Sequence, residues 1–240
     1  MAKQYAFIGL DSFSIYVLEK LHEVTNEIII IDKDDTIIER FKHWAKKAHI
    51  VDLRSADVIE QSIGETVDTA IVDVGNNMET AIIIISTLKK LNIPRILVCC
   101  ETKEQGNIYS LVGATQIIIP AREAASRVVP LLVSGNLLNF SPISPSLIMA
   151  EVKIPSKYAG KTLVEANFRQ AHGINVVAIR KIDSDDYFYF EPNYRLTEND
   201  VLLSVGSIEK IESFTGTQFS ERKGFWRSEE RRVGKECRSR

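Results

Sequence analysis

The chain has 240 residues, 45% apolar and 26% charged, the composition of an ordinary soluble globular protein with room for one large or two modest domains. Its formal net charge of −2 is unevenly placed: residues 221–240 hold 8 basic and 4 acidic side chains, net +4, leaving 22 and 28 in the first 220, net −6. An acidic body without a basic stripe argues against nucleic acid as a partner, and no apolar run approaches the roughly 20 residues of a membrane-spanning helix.

Met1-Ala2-Lys3-Gln4 leads directly into an apolar run, so no signal peptide is expected. That run, Tyr5-Ala6-Phe7-Ile8, enters a turn at Gly9; a helical pattern follows from Ser12, and a second apolar strand, Ile28-Ile29-Ile30-Ile31, ends at Asp32. This is the opening of a dinucleotide-binding βαβ unit, whose fingerprint is G-x-G-x-x-G with an acid about 20 residues on. Here Asp11 and Ser14 stand in the second and third glycine positions. Three readings of Asp11 are open: phosphate binding is lost, Asp11 holds a cation that accompanies a nucleotide, or its carboxylate caps the first helix and fills the anion site itself.

Further strands are expected at Ala48–Val51, Thr69–Val74, Arg95–Cys100 and Thr115–Ile119, with helices at about Ser12–Val24, Asp34–Lys47, Ala56–Ile63, Asn77–Leu91, Lys103–Leu111 and Arg122–Val133. Isoleucine- and valine-rich strands without alternation belong to a parallel sheet covered on both faces. The expected fold is therefore α/β: a Rossmann-like doubly wound sheet of six strands, ordered 3-2-1-4-5-6, over residues 1–133. Asp34 and Asn76 suit helix N-caps, and Asn92-Ile93-Pro94 stops a helix before a strand. Adjacent Cys99 and Cys100, without Cys-x-x-Cys or Cys/His spacing, read as small buried hydrophobes in a reducing cytoplasm.

Ligand contacts are expected at the carboxyl ends of the first, second and fourth strands. The candidate nucleotide-binding residues are Gly9, Asp11, Ser12, Asp32, Lys33, Asp52, Gly75 and Asn76. Asp32 can accept from ribose hydroxyls or cap the next helix; Asp52 can reach an adenine edge or make a turn; Gly75 permits close backbone approach. His22, His43, His49 and His172 sit in separate elements without metal-ligand spacing, and no catalytic constellation or metal site emerges, so the chain is read as a non-enzyme.

Residues 134–146, with Ser141-Pro142-Ile143-Ser144-Pro145-Ser146, read as a linker. Residues 147–216 then form a small α+β module, with strands at Ile148–Ile154, Asn175–Arg180 and Leu202–Val205, a helix at Thr162–Ala171 and an aromatic run at Tyr187–Phe190. Residues 217–240 lack a hydrophobic period and read as disordered or foreign to the native frame.

From Lys3 to Gly216 the chain resembles the regulator of potassium conductance (RCK) family, in particular cytoplasmic Ktr/Trk-type subunits. The resemblance rests on Phe7-Ile8-Gly9-Leu10, Ile31-Asp32, Asn92-Ile93-Pro94-Arg95-Ile96, Gly113 to Pro120, Gly160-Lys161-Thr162-Leu163, Gly173 to Arg180 and Asp200 to Gly206. It implies a regulatory subunit that switches ion flux through a membrane-embedded potassium-translocating partner, as homodimers assembled into an octameric ring on the inner face of the membrane. It implies ATP, ADP or NAD(H) in the N-terminal crevice. It also implies cyclic di-AMP in the C-terminal module, at Leu163, Phe168, Arg169, Asn175 and Pro192. A small NAD(P)-dependent oxidoreductase or redox sensor on the same fold is the alternative.

Overall fold

The computed structural model describes residues 2–64, 67–216 and 218; the expectation of a disordered or foreign tail falls almost wholly outside them. By internal contacts the chain divides into two compact units, Met1–Glu123 and Ala124–Arg240.

The first unit holds a parallel six-stranded sheet in the order β3-β2-β1-β4-β5-β6. Its strands are β1 (Tyr5–Ile8), β2 (Ile28–Asp32), β3 (Lys47–Ile50), β4 (Thr69–Val72), β5 (Arg95–Cys99) and β6 (Gln116–Ile118). Between them run α1 (Ser12–His22), α2 (Asp35–Phe41), α3 (Ala56–Ile63), α4 (Met78–Lys90) and α5 (Lys103–Val112). Alternate strand residues feed two separate cores. Ala6, Ile8, Ile29, Ile31, Ala70 and Val72 pack with α3, α4 and α5, whereas Phe7, Ile28, Ile30 and Ile71 pack with Leu18 of α1 and Ile38 and Phe41 of α2. Burial on both faces explains why these strands read as continuous apolar runs.

Local chemistry sets the boundaries. The expected helix Asp34–Lys47 ends earlier: α2 stops at Phe41, a 3-10 turn spans Lys42–Trp44, and β3 begins at Lys47. Trp44 stacks on His22 with ring centroids 4.4 Å apart, which ties that turn to the end of α1. Asp34 caps α2, accepting from the Thr36 amide. At α4 the cap is Asn77, which accepts from Thr80 N at 3.1 Å, rather than Asn76. Thr102 and Gln105 close a reciprocal capping box on α5. The helix α6 (Pro120–Val133) starts at Pro120, before the expected Arg122; proline is at home in a first turn, where its missing N–H has no partner to lose.

The second unit contains an antiparallel sheet ordered β7-β8-β10-β9: β7 (Leu137–Pro142), β8 (Leu147–Lys153), β9 (Asn175–Lys181) and β10 (Asp200–Ser207). The stretch 134–146, expected to be a linker, carries β7 paired along β8, from Leu137 opposite Val152 to Pro142 opposite Ile148. The expected helix Thr162–Ala171 is two pieces, α7 (Leu163–Ala166) and α8 (Phe168–His172), because Asn167 adopts a left-handed conformation at φ 46°. With α9 (Ile208–Thr215) they cover one face of the sheet over a core that includes Leu137, Val152, Phe168, Leu202 and Phe214. Asp200 is fully buried and accepts from Lys181 Nζ (2.6 Å), Thr197 N (2.7 Å) and the Tyr194 hydroxyl (3.1 Å). Three donors, one of them the Lys181 ammonium, are shared between its two oxygens, so the carboxylate is tolerated in the interior. Among the described residues no helix is long and apolar enough to cross a membrane.

Candidate functional site

A cavity of about 730 Å³ opens over the carboxyl ends of β1, β2 and β4, where a doubly wound sheet reverses its strand order. Gly9 makes the turn out of β1 at φ +80°, and a Cβ there would stand 2.2 Å from the carbonyl oxygen of Asp73. Only glycine fits. The turn is held by Gly9 N donating to Ile31 O at 2.9 Å.

Asp32 closes β2 and lines the cavity at 7% exposure. Its Oδ2 accepts from Leu10 N at 2.7 Å and its Oδ1 from Asp34 N at 2.9 Å. Two amides orient the carboxylate, while a carboxylate has about four lone-pair positions, so acceptor capacity remains for a hydroxyl in the cavity.

Of the three readings of Asp11, the geometry matches the third. Asp11 is the N-cap of α1 and its Oδ1 accepts from Ser12 N at 2.6 Å. Its other oxygen lies over the turn after β4: a Cβ on Gly75 would be 2.8 Å from Oδ2. Ser14, in the third glycine position, is fully buried; its hydroxyl donates to Asp11 O (2.9 Å) and its amide to Asp73 Oδ2 (2.9 Å). Asp73 is itself 4% exposed. Burial first, and then the nearby Asp11 charge, push the Asp73 carboxyl above the usual carboxylate range, against the opposing pull of the Ser14 amide.

At the end of β3, Asp52 and Arg54 form an exposed ion pair at 2.7 Å. The Arg54 guanidinium holds Asp52 down to about 2. Lys33 also lines the cavity, so five aspartates (11, 32, 34, 52 and 73) face two cations.

Thus Gly9, Asp11, Asp32, Lys33 and Asp52 converge on one cavity. Ser12, Gly75 and Asn76 do not line it. Ser12 supplies its amide to Asp11, Gly75 makes room for the Asp11 carboxylate, and Asn76 accepts from Gln105 Nε2 at 3.2 Å. Asp73 and Arg54 are lining residues that the sequence reading did not single out. A signal for Asp73 was present, an acid at the carboxyl end of a buried, mostly apolar strand, as at Asp32. Arg54 had no such signal, because its place follows from the turn after β3.

In the second unit a smaller cleft of about 300 Å³ brings together Leu163, Phe168, Arg169 and Asn175; Pro192 does not line it. Val164, Asn167, Ile174, Val176 and Phe190 also line it without having been expected as site residues. Phe168 anchors the floor within an aromatic cluster with Tyr158, His172 and Phe214. His172 is hydrogen-bonded to the Tyr158 hydroxyl, and burial, then Lys157, hold its imidazole below the usual histidine range. Arg169 and Asn175 are exposed at the rim, where a guanidinium and an amide can meet a phosphate or a base edge. Among the described residues no three His, Cys, Asp or Glu side chains are grouped to hold a metal ion.

The chain matches the TrkA-N domain over residues 5–120 and the TrkA-C domain over residues 147–216. It is 28% identical over 214 residues to the Ktr system potassium uptake protein C of Bacillus subtilis (strain 168), covering 89% of this chain and 96% of that protein. With the Ktr system potassium uptake protein A of Vibrio alginolyticus it shares 21% identity over 213 residues, covering 87% and 94%. Among solved structures, the RCK domain of GsuK superposes with a TM-score of 0.60 at 16% identity; the match covers 93% of this chain and 49%, about half, of that one. The GsuK channel bound to NAD gives 0.60 at 16% identity, covering 94% and 41%. Carrying the two domains in this order and aligned nearly end to end with the Bacillus protein, the chain belongs to the TrkA-N/TrkA-C family and is a homologue of the Ktr system potassium uptake proteins.

Proposed function

We propose that this protein is a non-catalytic regulatory subunit of a potassium transporter, in which an adenine-bearing ligand in the N-terminal crevice shifts the conformation that the translocating partner senses. One observation carries the reading. In a chain collinear with a Ktr system protein, Gly9 and Asp32 meet over a cavity of about 730 Å³ at the switch point of the sheet. Gly9 gives the ligand close access to backbone, and the doubly anchored Asp32 presents a fixed acceptor for ribose hydroxyls. The homology favours regulation over the oxidoreductase alternative.

Within this reading, the cleft around Arg169 and Asn175 takes a cyclic dinucleotide such as cyclic di-AMP. The chain works in the cytoplasm as homodimers gathered into an octameric ring against the membrane-embedded partner. Regulation of this kind needs the ligand to bind one ring conformation more tightly than the other, typically by about 1–3 kcal/mol.

The test is thermal unfolding of the full chain with adenosine, AMP, ADP, ATP, NAD, NADH and cyclic di-AMP. A ligand at about 100 times its dissociation constant adds about 2.7 kcal/mol, a shift of several degrees. At least one adenine-bearing ligand other than the cyclic dinucleotide shifts the midpoint if the crevice reading holds; none does if it fails. Light scattering of the same samples reports the ring, and a monomer would overturn that part.

A further inference from the structure

Phosphates of a bound dinucleotide are ordinarily met by the free amides of the first turn of the helix after β1, helped by that helix's dipole. In this protein two of those amides already have anionic partners of their own. Ser12 N donates to Asp11 Oδ1 at 2.6 Å, and Ser14 N donates to Asp73 Oδ2 at 2.9 Å. The two carboxylates come from opposite sides, Asp11 from the turn after β1 and Asp73 from the end of β4. Asp11 is also seated: its Oδ2 occupies the space left by the missing side chain of Gly75. A diphosphate entering here would have to displace two carboxylates from strong charge-assisted bonds and then sit beside them. Of the two cations in the lining, Arg54 is already paired with Asp52, which leaves Lys33 alone to offset a phosphate among five aspartates.

We propose, on the reading of the crevice as an adenine site, that Asp11 and Asp73 are built-in anions that make it select an adenine nucleoside without a diphosphate over ADP, ATP or a dinucleotide. Asp32 recognises the ribose, as proposed above, and the two aspartates set the penalty for each further phosphate. The sensed quantity is then a ligand at the dephosphorylated end of the adenine series.

Titration calorimetry of the full chain, in magnesium-free buffer at low ionic strength, tests this with adenosine, AMP, ADP and NAD. The readout is the ratio of the ADP to the adenosine dissociation constant. It is about tenfold or more in the parent chain and shrinks as added salt screens the carboxylates. In Asp11→Asn, which keeps a capping oxygen but loses the charge, the ratio falls towards one. Because each ratio is internal to one protein, partial loss of folded material does not distort it. ADP or NAD binding the parent as tightly as adenosine overturns the selectivity and leaves the adenine reading of the crevice standing. A ratio unchanged by salt and by Asp11→Asn also overturns it. If neither chain binds any adenine compound in the crevice, the selectivity and the underlying reading fall together.

Discussion

Gly9 and Asp73, at the ends of adjacent parallel strands, approach so closely that a Cβ on Gly9 would stand 2.2 Å from the Asp73 carbonyl oxygen. The obstacle is backbone, and Gly9 also sits at φ +80°. Gly9→Ala therefore combines left-handed strain with a clash that no rotamer change relieves. It is expected to destabilise the first unit by about 3 kcal/mol or more, read as a lower urea midpoint for the circular-dichroism transition. A loss below about 1 kcal/mol would show that the turn relaxes.

Asp73 links this turn to pH. Its folded-state carboxyl titrates above the ordinary value because of burial and the Asp11 charge. Below the unfolded-state value both states are protonated and burial carries no ionisation penalty. As pH rises towards and through the folded-state value the unfolded chain ionises more readily, and stability falls until both forms are charged. Asp73→Asn removes this dependence while keeping an oxygen for the Ser14 amide. The variant's stability relative to the parent should thus be greater at pH 7 than at pH 4; a flat or opposite difference would refute the assignment.

Burial first, and then the nearby Asp73 carboxylate, push the Cys99 thiol up to about 12. At pH 8 its thiolate fraction is on the order of a thousandfold below that of a free cysteine. Peptide mapping after iodoacetamide treatment of the folded chain should find Cys99 essentially unmodified. Asp73→Asn should speed its alkylation. Rapid labelling in the parent would contradict a thiol raised by burial and the Asp73 charge.

In the second unit, Ser204 is fully buried in β10 and its hydroxyl has no hydrogen-bond partner among the described residues. Ser204→Ala relieves a desolvated polar group at almost constant volume. It should raise stability by about 1 kcal/mol in urea titrations. A loss of the same size would reveal a bound water that satisfies the hydroxyl.

Arg169 lines the second cleft from an exposed position, so its replacement should leave folding intact. Arg169→Ala is expected to weaken cyclic di-AMP binding about tenfold or more, with the unliganded melting temperature within a degree of the parent. Undiminished affinity in calorimetry would remove this cleft from the proposed function.

The sheet of the first unit was legible in advance because parallel strands buried on both faces advertise themselves as runs such as Ile28-Ile29-Ile30-Ile31, and right-handed crossovers leave few strand orders. The turn at Gly9 and the acid at Asp32 were legible for a related reason, since each sits at the end of such a run. β7 was hidden: Pro142 and the surrounding serines look like a linker, yet β7 lies at the sheet edge, where a proline costs no interior ladder bond. The break at Asn167 was hidden as well, because one left-handed residue leaves the helical period on either side intact. Sequence alone also offered three roles for Asp11 and favoured the helix cap. Only the tertiary structure brings Asp73 to the Ser14 amide across a separation of 59 residues and seats the Asp11 carboxylate against Gly75. Local pattern determines which residues are strand, turn and helix, because hydrophobic periodicity and backbone sterics act over a few residues. Which charges share a helix terminus is decided by strand neighbours far apart in the chain, and that proximity exists only once the sheet has formed.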